Sequence, residues 1–238
     1  MIGTFFIKYI FVVIFNNKYY KNTNLYNVIT DSNYQNKLNN YIDSKTLLIT
    51  LIISSIFIPI FYLILKKNKT SAKFKLSKIS KYILLVTSIS IIYNTYLSII
   101  TNYQISSLPI FIQIICSGII GPIIEELLFR GIVYNKLKEI TSIEKSMLIS
   151  TIIFSLLHFS LSDIIYTFIL GIIFVYIYEK NNNIKYPIIV HISANISVIL
   201  LSIIISLNNI FINVGLIVIN LLILLLIYSK NQLDKKNI

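Results

Sequence analysis

Few residues in this chain can carry proton chemistry, and two of them are adjacent. Glu125 and Glu126 sit in the apolar run Gly121-Pro122-Ile123-Ile124-Glu125-Glu126-Leu127-Leu128-Phe129-Arg130. Arg130 is the only arginine among 21 basic residues, all the others being lysine. An ionisable side chain at membrane depth costs several kcal/mol unless paired, so its presence is a functional signal. On a helix, Glu126 and Arg130 are four apart, share a face and can neutralise each other. Glu125 is rotated by about 100° from Glu126 and lacks that partner. The spacing thus assigns one glutamate to structure and leaves the other for chemistry.

The chain has two histidines, His158 and His191, both in apolar segments. Each has a companion one helical turn away, Phe154 for His158 and Asn195 for His191. Three separate segments therefore offer polar groups, and gathering them around one internal cavity avoids exposing them to lipid. Burial in an apolar pocket strengthens a carboxylate as a general base, able to take a proton from water for attack on a carbonyl. A histidine can hold that water, and an imidazole N–H with an amide N–H can bind the developing oxyanion. These are the parts of a peptide-bond hydrolase that needs no covalent nucleophile. Glu125, His158 and His191 could alternatively hold a catalytic zinc, although no H-E-x-x-H motif is present. Interhelical polar contact is the plainer reading of His191 with Asn195.

The elements that must position these residues are membrane helices. The 238-residue chain is 56% hydrophobic and 13% charged, more apolar than soluble domains of its size. Apolar runs fall at 4–16, 46–65, 82–100, 108–129, 146–160, 164–178, 186–206 and 210–228. This predicts an all-α, polytopic transmembrane bundle of about eight membrane segments, two of them (4–16 and 146–160) short of the roughly 20 residues of a full span. The first could also be a cleaved signal, although no cleavage motif follows it. Residues 17–45 read as a polar outer loop, 101–107 as an outer turn, and 130–145, with Arg130, Lys136, Lys138 and Lys145, as a cytoplasmic loop. The net charge of +12 follows lysines placed between apolar runs, seven of them in 66–81. It indicates topology and contact with anionic lipid rather than nucleic acid, with both termini cytoplasmic. Cys116 is the single cysteine, which excludes an internal disulfide. Hydropathy puts Glu125 and His191 near the cytoplasmic ends of their segments but His158 about 18 Å along its own, a mismatch in depth.

In order along the chain, Glu-Glu-x-x-x-Arg at 125–130, Phe-x-x-x-His at 154–158 and His-x-x-x-Asn at 191–195 resemble the CPBP family, the CAAX prenyl protease 2-like, Abi and bacteriocin-processing proteins. The similarity covers roughly residues 115–200. It divides a single membrane domain, 1–238, into N-terminal segments 1–107, a catalytic core 108–206, and a last helix with basic tail 207–238. The resemblance implies an intramembrane glutamic endopeptidase of the plasma membrane that requires no metal. Glu125 would activate water, His158 would help position it, and His191 with Asn195 would form the oxyanion site. Glu126 and Arg130 would support them, and Phe154 would meet substrate. Its substrate would be a peptide or protein, possibly lipidated, of CAAX type or in peptide maturation. The alternatives are a non-catalytic bacteriocin self-immunity or binding protein and an ion-coupled transporter, which the lack of an internal repeat disfavours.

Overall fold

A computed structural model describes residues 49–61, 74–101, 108–158, 160–205 and 209–236, with single positions at 37, 41, 45, 63 and 207. Seven helices make up these residues: α1 (Ile49–Phe61), α2 (Ile79–Ile100), α3 (Ile110–Ile140), α4 (Ile143–Leu156), α5 (Leu161–Asn181), α6 (Lys185–Ile205) and α7 (Ile210–Lys236). Helices α2, α3, α5, α6 and the 210–230 portion of α7 are long and apolar enough to cross a membrane. Helices α1 and α4 are shorter, α4 having 14 residues. The expected segment 4–16 and loop 17–45 fall outside the described residues except at 37, 41 and 45, as do 66–73 of the lysine-rich stretch and 102–107 of the outer turn.

Local chemistry sets the boundaries. Ser142 caps α4 by accepting from the Lys145 N–H, and Ser160 caps α5 by accepting from the Asp163 N–H. Asn182, at φ 44°, ends α5 in the left-handed conformation that asparagine tolerates. Beyond it, α6 turns back and packs on α2 and α5, burying Val86, Phe174, Ile177, Tyr186, Val190 and Ala194 together. On α7, among the described side chains, only Asn213 and Asn220 are buried. They lie seven apart on one face of a helix that packs on α2 and otherwise offers apolar side chains to its surroundings.

Helix α3 departs most from the sequence expectation. It runs unbroken for 31 residues to Ile140, so Arg130 lies inside it and not in a 130–145 loop. Arg130 is 2% exposed. Hydropathy reads an arginine as the end of a span, but here its charge is met inside the bundle and the helix continues through Gly131-Ile132-Val133-Tyr134. Two stretches of α3, Ile114–Ile120 and Leu127–Tyr134, take the wider π-helical register, flanking the turn that carries Glu125 and Glu126. Such bulges accompany functional sites because they re-aim side chains without ending a helix.

The longer helix removes the depth mismatch. Fifteen residues separate Glu125 from Ile140, and fifteen separate Ile143 from His158. Helices α3 and α4 form the two arms of a hairpin, so each residue lies about 22 Å from the turn.

Candidate active site

Glu126 is the centre of the site. It has no exposed surface, and its Oε1 accepts two hydrogen bonds. One comes from Arg130 Nη1 at 3.1 Å, the i,i+4 pair that the sequence spacing implied. The other joins His191 Nδ1 at 2.8 Å, from α6. A carboxylate paired with a guanidinium only accepts, so Nδ1 of His191 carries the proton and donates it.

Arg130 is satisfied on its other side by the backbone. Its Nη2 donates to the Gly171 carbonyl of α5 at 3.0 Å, and its guanidinium lies 4.5 Å from the centroid of the Phe154 ring. A guanidinium can be met in this way by carboxylate, carbonyl and aromatic face at once, which an ammonium cannot match. Gly171 is required at this approach. A Cβ there would lie 2.8 Å from Thr151 Cγ2 and 3.1 Å from Phe154 Cδ1.

Phe154, expected to meet substrate, is 1% exposed. Its ring packs against Phe129, Arg130, His158 and His191, and its carbonyl is 3.1 Å from His158 Nδ1. A carbonyl accepts only, so His158 also donates through Nδ1 and keeps a lone pair on Nε2 when neutral. His158 is half-buried just beyond the end of α4, within electrostatic reach of Glu125 and His191.

Glu125 lies on the more open side. Its side chain is 17% exposed, and Oε2 is 3.9 Å from His191 Nε2. The ring of His191 stacks on Phe174 at 4.6 Å, so its orientation is held by a face contact as well as by Glu126. Asn195, one turn further along α6, is half-buried and donates through Nδ2 to the Ser117 carbonyl of α3 at 2.8 Å.

The structure therefore gathers Glu125, Glu126, Arg130, Phe154, His158 and His191 at one level, with Asn195 one turn away on the same helix as His191. Among the described residues, no three His, Cys, Asp or Glu side chains are grouped to hold a metal ion. Sequence reasoning missed Gly171, Phe174 and Ser117. Gly171 left one signal, a glycine inside an apolar helical run, which marks close backbone approach. Phe174 and Ser117 left none, since one is an ordinary apolar residue and the other acts through its backbone.

The chain is similar to known proteins over the stretch that holds these residues. Residues 107–197 match the family model described as Type II CAAX prenyl endopeptidase Rce1-like. A Bacillus subtilis (strain 168) protein named "Putative membrane peptidase YdiL" is 34% identical over 90 residues, 38% of this chain and 37% of that protein. The "UPF0177 protein YxdF" of Lactococcus lactis subsp. lactis (strain IL1403) is 38% identical over 93 residues, 39% of this chain and 51% of that protein. The matched stretch thus spans about half the length of these relatives or less. No solved structure matches the chain. Residues 107–197, the stretch similar to the Rce1-like type II CAAX prenyl endopeptidase family, hold all seven motif residues.

Proposed function

We propose that the protein is an intramembrane endopeptidase in which Glu125 activates water. The observation that carries this reading is the division of labour between the adjacent glutamates. Glu126 is fully buried and engaged by Arg130 and His191, whereas Glu125 keeps exposed surface beside His191 Nε2. Glu125 takes a proton from water while His158 Nε2 accepts a hydrogen bond from the O–H that remains. The new hydroxide attacks the peptide carbonyl. His191, protonated at both nitrogens, donates Nε2–H to the oxyanion, and the Asn195 amide donates a second bond. Collapse expels the amine, which takes the proton back from Glu125. The walls of Phe129, Phe154 and Phe174 exclude water and strengthen each of these interactions.

The substrate is a membrane-proximal peptide, of CAAX type or in peptide maturation. Lys136 and Lys138 near the end of α3, Lys180 near the end of α5, Lys185 at the start of α6 and Lys230 on α7 support a cytoplasmic position for those helix ends.

The test is cleavage of quenched fluorescent peptides by the purified protein in detergent, with a farnesylated CAAX peptide beside an unprenylated one. Wild type should cleave at least one, and Glu125→Gln should be slower by about 10²–10⁴-fold, the range expected when a general base is lost. Preference for the farnesylated peptide would identify the CAAX class. Full activity in Glu125→Gln would sink the mechanism, and cleavage of neither peptide would sink the CAAX assignment and the hydrolase reading with it.

A further inference from the structure

A second feature of α3 bears on how Asn195 is aimed. The Gly121 N–H bonds to the Cys116 carbonyl, a five-residue step of the π-helical register. The next donor in that register, residue 122, would bond to Ser117. Residue 122 is proline, which has no N–H. The Ser117 carbonyl is thereby denied its helical donor, and Asn195 Nδ2 occupies it at 2.8 Å. The helices are close enough at this level for that bond to form. A Cβ on Gly118 would lie 3.2 Å from Ile196 Cγ1 and 3.3 Å from Ile199 Cδ1, both on α6.

A carbonyl oxygen accepts only, so it selects the orientation of the Asn195 amide. The NH₂ group turns toward α3, and its second N–H is left to donate. The flipped amide would present Oδ1, which repels a developing oxyanion. Building on the hydrolase reading above, we propose that Pro122 is a positioning residue for Asn195. By withholding one backbone N–H, it leaves the Ser117 carbonyl to fix the amide in its donating orientation.

The test is a double-mutant cycle of Pro122→Ala and Asn195→Ala in the full chain, read in two ways. Thermal unfolding in detergent reads the contact and needs no substrate. Pro122→Ala supplies the missing N–H, so Asn195→Ala should lower Tm by several degrees in the wild-type background and by much less in the Pro122→Ala background. Peptide cleavage reads the positioning. Pro122→Ala should lower kcat by about tenfold with KM within about twofold, part of the 10²–10³ that follows loss of an oxyanion donor. The double variant should cleave no more slowly than Asn195→Ala. Additive Tm changes would overturn the proposal whatever the activity, and so would coupled Tm changes with kcat unmoved by Pro122→Ala. Coupled Tm changes in a protein whose wild type cleaves neither peptide would instead refute the hydrolase reading, and the positioning role would fall with it.

Discussion

His191 Nδ1 lies 2.8 Å from Glu126 Oε1, a contact between residues 65 positions apart that locks one edge of the imidazole. The opposite edge faces Glu125, with Nε2 3.9 Å from Oε2. Adjacent side chains on a helix diverge by about 100°. Both can address one ring because α6 lays His191 into the groove between them. The proton count of the site follows. Nδ1 is committed as a donor to Glu126, so Nε2 gains a hydrogen only when the ring becomes an imidazolium.

Glu126→Gln keeps an acceptor for both neighbours but removes the charge. Arg130 would then be buried without its paired anion, and loss of one member of a buried pair costs about 3–5 kcal/mol. Denaturant unfolding in detergent should register a loss of that size. A change under about 1 kcal/mol would mean that Gly171 and Phe154 alone satisfy the guanidinium.

Arg130→Lys tests whether position 130 needs the planar fork. Lysine could reach Glu126 but could not also donate to the Gly171 carbonyl while stacking on Phe154. The expected cost is about 2 kcal/mol, with peptide cleavage reduced because His191 shares the same carboxylate oxygen. Wild-type stability and activity in this variant would show that only the positive charge matters.

Gly171→Ala should destabilise the bundle by about 1–3 kcal/mol, since the new methyl would overlap Thr151 Cγ2 at 2.8 Å. Thr151→Ser removes that methyl. The double variant should recover part of the loss, as measured by thermal unfolding. Absence of recovery would place the strain at Phe154, the next atom in line at 3.1 Å.

The sequence by itself determined the class of the molecule and named the residues of its candidate site. Apolar runs of membrane length predicted the described helices, because the bilayer sets both length and polarity. The Glu126–Arg130 pair was legible from spacing, because contacts four residues apart follow from the geometry of a single helix. The tertiary structure decided everything that depends on how the helices rotate and slide against one another. It drew Arg130 out of the expected loop, since the Gly171 carbonyl and the Phe154 ring come from other helices and no local pattern reports them. It set Glu125 and His158 at equal depth, since hydropathy ends the span before Arg130 while packing carries α3 on to Ile140. It buried Phe154, joined His191 to Glu126 and gave Asn195 the Ser117 carbonyl. Each of these is a contact across helices, fixed by the fit of whole faces rather than by any residue's own preference.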